Sequence, residues 1–217
     1  NGPTDPFLVR LAEAGYIVAA PDIREVSAPV NHVPGYVEQP GDARFVIDAL
    51  TDPDDGFVDD LASVVDPGRV GLVAHSMGAA GAFGLAYHDC CRDDRVDAVV
   101  AFGANPDLVP ADGEFEFAGT PLLLVYGSND EISPVAFGAS ALDAAEPPSH
   151  LLTLPGADHF QPVYGDGVGG DGDRAAETAA TVGIGFLDLH VAGTAAQEEF
   201  DELTGSLEPG MWVDADG

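Results

Sequence analysis

The sequence predicts an α/β fold, a mostly parallel sheet with helices on both faces, and three observations carry that prediction. Short apolar runs of strand length, among them VGLVA at 70–74, VDAVVAFG at 96–103 and PLLLVYG at 121–127, alternate with segments of helical period. The runs are continuously apolar, as in strands buried on both faces. Polar residues gather just where the runs end, in HSMG, GSNDE and GADHF, the edge at which open α/β sheets bind ligands. A length of 217 residues suits one domain, and a hydrophobic fraction of 46% supports folding despite 27 Gly and 17 Pro.

In chain order, PFLVRLAEAG at 6–15 places Phe7, Leu8, Leu11 and Ala12 at helical spacing. Thr4 or Asp5 can cap this helix, Pro6 suits its first turn and Gly15 its end. YIVAAPD at 16–22 reads as a strand buried on both faces. Residues 24–40, rich in Pro, Val, Asn and His, have no period and are expected to be irregular. A helix is expected over about 41–50 and a second piece over 57–65, before a turn at DPGR, 66–69. The strand at 70–74 leads into a helix of small residues at 79–87; strands at 96–103 and 121–127 follow, then a helix at 134–145 and a strand at 149–156. A long final helix spans 174–193, weakened by Gly183 and Gly185. GDGVGGDGD at 165–173 lacks both the D-x-D-x-D-G spacing and the closing glutamate of a calcium loop, so a solvated loop is expected. From 195 to 217 the chain forms an acidic tail, with Trp212 the one residue expected to pack down.

Charge excludes some partners. Seven arginines and no lysine face 38 acidic residues, for a net charge of −31. Such a surface repels phosphate backbones and anionic headgroups, so nucleic acid is excluded as a partner. The bias resembles that of proteins from salt-adapted organisms; a GC-rich genome would leave the same excess of Arg over Lys. No run of 18 apolar residues is present for a membrane span, and no basic start with an apolar segment reads as a signal peptide. The only cysteines, Cys90 and Cys91, are neighbours. They are expected to be two free thiols, with a strained vicinal disulfide as the alternative.

The chemistry concentrates at AHSMG, 74–78. A buried strand that turns at a serine straight into a helix of small residues matches a nucleophile elbow, a turn so tight that the residues two before and two after the serine must be small. Those residues are Ala74 and Gly78. The turn would hold Ser76 clear of the sheet and offer the Met77 N–H to an oxyanion. The alternative is a serine that merely caps the helix.

A serine hydroxyl is a weak nucleophile, so a base must reach it and a third group must orient the base. Asp130 follows the strand at 121–127 and His159 follows the strand at 149–156, which makes Ser76, Asp130 and His159 the candidate triad. Glu131 and Asp107 are the alternative acids, Asp107 the better of the two. His75 is expected to wall the pocket, and His32 to border it. His88, His150 and His190 read as ordinary core or surface residues. The sequence holds neither a metal-ligand cluster nor a phosphate-binding glycine loop, and no cofactor is implied.

On YIVAAPD, VDPGRVGLVAHSMGAAGAFGLAY, GSNDEISPV and GADHF, the chain resembles serine hydrolases of the α/β-hydrolase fold from Pro6 to about Leu189. The group is the one containing dienelactone-hydrolase-like proteins, bacterial cutinases and platelet-activating-factor acetylhydrolase-like esterases. CCRDDRVDAVV is similar to actinobacterial esterases of that group. The resemblance implies a small-molecule or polymeric carboxylic ester as substrate. An amidase or peptidase, or a binding protein that keeps the triad without turnover, are the alternatives. Three departures stand out. Ala74 replaces the first glycine of the motif, Ser76 stands where dienelactone hydrolases carry cysteine, and FGANPD at 102–107 lacks the tryptophan of aromatic-polyester cutinases. The resemblance also implies a second oxyanion donor from a loop just ahead of the first helix. Because the sequence opens at NGPTDPF, the N-terminal strands of the sheet are expected to lie before residue 1.

The charge makes a prediction of its own. Self-repulsion weakens as the Debye length contracts to about 3 Å near 1 M salt. The thermal midpoint should therefore rise steadily with NaCl in a calorimetric titration at neutral pH.

Overall fold

A computed structural model describes residues 6–21, 34–51, 64–108, 115–167 and 169–215. Its strands β1 (Val70–His75), β2 (Val96–Phe102), β3 (Leu122–Gly127), β4 (Ser149–Leu154) and β5 (Trp212–Asp214) form one sheet in the order β1-β2-β3-β4-β5. The first four are parallel and β5 adds antiparallel to β4. The helices are α1 (Pro6–Glu13), α2 (Pro34–Thr51), α3 (Gly78–Tyr87), α4 (Val135–Ala144), α5 (Gln161–Tyr164), α6 (Asp171–Leu187) and α7 (Gln197–Gly205).

β2, β3 and β4 are buried on both faces along most of their length because successive side chains feed two separate cores. The run at 70–74 departs from that expectation, for in β1 only Ala74 is buried and Gly71 is exposed. Val100, Phe102, Leu123, Val125 and Leu152 pack with Phe7 of α1 and Phe186 of α6. Val99, Ala101, Leu122, Leu124 and Tyr126 pack on the other face with Phe83 and Leu85 of α3 and Leu142 of α4. Each fully buried side chain of this size contributes about 1.5–3 kcal/mol of transfer free energy. The α/β architecture expected from the sequence is the one observed. The turn at 66–69 also forms, with the Arg69 N–H donating to the Asp66 carbonyl at 3.1 Å.

Several local expectations are corrected. Residues 16–21 join no ladder among the described residues, because an apolar run becomes a strand only where a neighbour supplies its hydrogen bonds. One face alone is covered: Tyr16 and Val18 lean on the core while Ile17 is 47% exposed. The Tyr16 hydroxyl donates to Asp188 at 2.7 Å, and burial and that carboxylate push its ionisation upward. Helix α2 begins at Pro34, inside the segment expected to be irregular, and carries Pro40 within it. A tertiary contact overrides local propensity here, for Pro40 packs so close to α3 that a Cβ on Gly84 would lie 2.6 Å from its ring. Of the helical piece expected at 57–65, residues 57–63 lie outside the described residues, and 64–65 are not helical. Thr4 and Asp5 lie outside them as well.

The helix expected over 174–193 starts earlier, at Asp171, and closes in a π-turn, Asp188–Ala192, ending at Gly193. It is not the last helix. Its glycines admit neighbours: a Cβ on Gly183 would lie 3.1 Å from Phe7, and one on Gly185 would lie 2.9 Å from Leu203 of α7. The loop at 165–173 folds around a carboxylate, as Asp173 accepts the N–H groups of Asp166 and Gly167 at 2.9 and 2.8 Å and that of Gly169. These backbone donors hold the Asp173 carboxyl down to about 2. Cys90 and Cys91 are bonded to each other, which overturns the expectation of free thiols. The turn after α3 brings them together: the Cys90 N–H donates to His88 Nδ1, and Arg44 donates to the Cys91 carbonyl. No helix among the described residues is long and apolar enough to cross a membrane.

The acidic tail is folded. Phe200 is buried, and Trp212 stacks on His150 at 4.8 Å, where His150 Nδ1 donates to Asp214 at 2.6 Å. Beside them sits His190, whose Nε2 is buried with no hydrogen-bond partner among the described residues. Burial, and then the charge of His150, lower its pKa from 6.5 to about 4. The unfolded chain therefore takes up a proton at pH values where the native protein still refuses it. Native stability should be full above about pH 6.5 and should fall as pH drops toward 4. Thermal melts across that window should show the decline in the wild type and a shallower one in His190→Phe.

Candidate active site

Ser76 occupies the turn between β1 and α3 with φ +55°, the only described non-glycine residue with positive φ. A side chain in this region costs about 1–3 kcal/mol and persists only where its surroundings enforce it. They do so here: the Ser76 N–H donates to the Phe102 carbonyl at 2.8 Å, which ties the turn to the end of β2. The Ala79 and Ala80 N–H groups bond the Ser76 and Met77 carbonyls at 3.0 and 3.2 Å and begin α3, with Met77 in its N-cap position.

The expected small residues divide. Ala74 is buried, but a Cβ on Gly78 would meet nothing within 4 Å among the described residues, so no contact there demands glycine. The demanding glycine is Gly103, directly after β2, which the sequence reading missed. It has φ +50°, and a Cβ there would lie 2.9 Å from the His159 ring and 3.2 Å from Asp130 Oδ2. The one signal in the sequence was a glycine closing the apolar run VVAF.

Asp130 and His159 are 6% and 4% exposed and lie on loops after β3 and β4. Asp130 Oδ1 accepts the N–H groups of Ile132 and Ser133 at 2.8 and 2.7 Å, which sets the carboxylate's orientation. Its Oδ2 accepts the His159 Nδ1–H at 2.7 Å. With Nδ1 protonated, His159 Nε2 is an acceptor, and it takes the Ser76 hydroxyl at 2.8 Å. The two loops are stitched together: the Asn129 N–H donates to Ala157 O at 2.9 Å, the Ser128 N–H to Leu154 O at 2.9 Å, and the Gly156 N–H to Ser128 Oγ at 2.8 Å. A Cβ on Gly127 would collide with the Ala157 carbonyl, so the loops approach as closely as backbone allows. Beneath them the buried Tyr126 donates to Ala104 O at 2.7 Å, and burial and the Asp130 charge push its ionisation upward.

The fold thus brings Ser76, His159 and Asp130 into one hydrogen-bonded chain. Glu131 is exposed, and Asp107 is exposed on a short turn at Pro106–Leu108. His159 Nδ1 is engaged by Asp130, so neither alternative acid takes that place. His75 sits against the site, its ring 4.8 Å from that of His159 and 5.8 Å from those of Phe160 and Tyr164. Ile132, Phe160 and Tyr164 are 61%, 51% and 45% exposed, an apolar rim on the loops that carry Asp130 and His159 and on α5. His88 is buried near Phe115, and His150 and His190 lie with the C-terminal tail. His32 lies outside the described residues. A groove of about 850 Å³ lined by Asp107, Phe117, Phe137 and Glu146 is separate, for no triad residue lines it. No group of three or more His, Cys, Asp or Glu side chains that could hold a metal ion occurs among the described residues.

No protein-family model matches the chain, and no curated protein matches it.

Replacement of Gly103 tests how tightly this chain is held. Gly103→Ala should both strain the backbone and push the His159 ring off its two partners. The low-field Nδ1 proton resonance of His159 should shift or vanish in the variant while far-UV circular dichroism keeps its native form.

Proposed function

We propose that the protein is a serine carboxylic ester hydrolase of the α/β-hydrolase fold. The single observation that supports this reading is the Ser76–His159–Asp130 chain, at 2.8 and 2.7 Å, with the serine in a strained strand-to-helix turn. A serine that only caps a helix needs neither the buried imidazole nor the buried carboxylate behind it.

Ser76 Oγ attacks the ester carbonyl as His159 Nε2 takes its proton, and Asp130 holds the imidazole in the required tautomer and stabilises its positive charge. The Met77 N–H, at the start of α3, is the donor to the oxyanion; one such donor is worth about 2.7–4 kcal/mol. Collapse of the tetrahedral intermediate expels the alcohol, which leaves with the proton from His159. Water, deprotonated by the same imidazole, then releases the acid and restores Ser76. The apolar rim of Ile132, Phe160 and Tyr164 favours esters with an apolar acyl or alcohol group.

A fluorophosphonate probe should label the folded protein at Ser76, and p-nitrophenyl esters should turn over faster than the matching anilides. Ser76→Ala should abolish labelling and lower kcat by at least about 10³-fold, and Asp130→Asn should lower it by about 10⁴-fold. An intact protein that neither labels nor turns over esters would point to a binding role; preference for anilides would point to an amidase.

A further inference from the structure

We propose that His75 is a positioning residue, gripping the backbone of the same histidine whose side chain engages Ser76. The inference rests on the ester-hydrolase reading and names a residue which that mechanism does not use. His75 Nε2 lies 2.9 Å from the carbonyl oxygen of His159. A carbonyl only accepts, so His75 Nε2–H is the donor.

The consequence is geometric. The last residue of β1 and the first residue after it hold opposite ends of one histidine: Ser76 Oγ bonds its Nε2 at 2.8 Å and His75 bonds its carbonyl at 2.9 Å. The His159 ring is pinned from a third side by Asp130. The stitching bonds of the β4–α5 loop fall on Gly156 and Ala157, before His159. The Asp158 carboxylate accepts the Phe160 and Gln161 N–H groups at 2.8 and 2.9 Å, but these are bonds within the loop itself. His75 therefore supplies a backbone tether between the nucleophile's strand and the base's own residue. The tilted ring contact between His75 and His159, at 4.8 Å, and the edge contacts to Phe160 and Tyr164 hold the donor on that line. Neutral His75 with its proton on Nε2 makes this bond, and so does the imidazolium, so the tether survives protonation.

The test separates hydrogen bond from bulk. His75→Phe keeps an aromatic ring beside Phe160 and Tyr164 but has no donor, whereas His75→Gln keeps an N–H donor at similar reach. Since misplacement by about 1 Å can cost about 100-fold, His75→Phe should lose about tenfold in kcat and in fluorophosphonate labelling of Ser76, with KM within about twofold, and His75→Gln should recover most of that loss. The low-field Nδ1 proton of His159 should broaden in His75→Phe and return in His75→Gln. His75→Met, equally without a donor, replaces His75→Phe if that variant does not fold. Labelling of His75→Phe at the wild-type rate, or equal loss in the Phe and Gln variants at unchanged thermal midpoint, would overturn the positioning role. Failure of the wild type to label would overturn the ester-hydrolase reading instead.

Discussion

The hydrogen-bonded ladder runs past the carboxyl ends of its parallel strands, and the candidate site depends on that continuation. The first residue after β1, β2 and β3 in each case donates its N–H to the neighbouring strand: Ser76 to Phe102, Gly103 to Val125 and Ser128 to Leu154, at 2.8, 2.8 and 2.9 Å. Strand order follows chain order across β1 to β4, so consecutive loops leave the sheet side by side. Ser76, Gly103, Asp130 and His159 are neighbours for that reason, though they lie far apart in sequence. A strained serine backbone and close-set loops survive because this edge is as firmly bonded as the sheet itself.

The polar chain at that edge sits on a layer with little freedom to shift. Tyr126, Leu124 and Val125 lie directly below it and are fully buried, and interiors at close-packed density transmit displacements rather than absorb them. Gly103 leaves room for the imidazole and Gly127 for the loop that carries it. Asp130 Oδ1 receives two backbone donors, so the loop orients the carboxylate by itself, while the buried Oδ2 takes its bond from the imidazole. Hydrogen bonds to a charged group contribute about 1.5–3 kcal/mol each. The carboxylate's orientation is thus a property of the β3–α4 loop and precedes any contact with substrate.

At the opposite end of β4 a second polar group serves the fold. His150 links Trp212 and Asp214 of the tail to the sheet, and Phe186 of α6 meets both His150 and Phe200 of the tail, with His190 against its ring. On the α3 side, Asp93 is held down to about 2, chiefly by its hydrogen bond with Arg95, and Arg44 joins the same carboxylate at 3.3 Å. Three of the seven arginines, Arg44, Arg92 and Arg95, therefore pair with aspartates around the turn that follows α3. Seven arginines stand against 38 acidic groups in the sequence.

Much of this was legible in the sequence. Periodicity located β1 to β4, α3 and α4, and in β2, β3 and β4 it is burial on both faces that leaves continuous apolar runs. The polar clusters at the run ends named Ser76, Asp130 and His159, since a turn between buried elements has few reasons to hold such residues. The tertiary structure decided the rest. Residues 16–21 are as apolar as any strand but form none among those described, for pairing is a property of neighbours. Pro40 lies inside a helix because α3 presents a glycine to it, and Cys90 and Cys91 are joined because a turn holds them. The need for Gly103 and the reach of His75 to the His159 carbonyl are distances across the sheet. No local pattern encodes a distance between residues that only folding brings together.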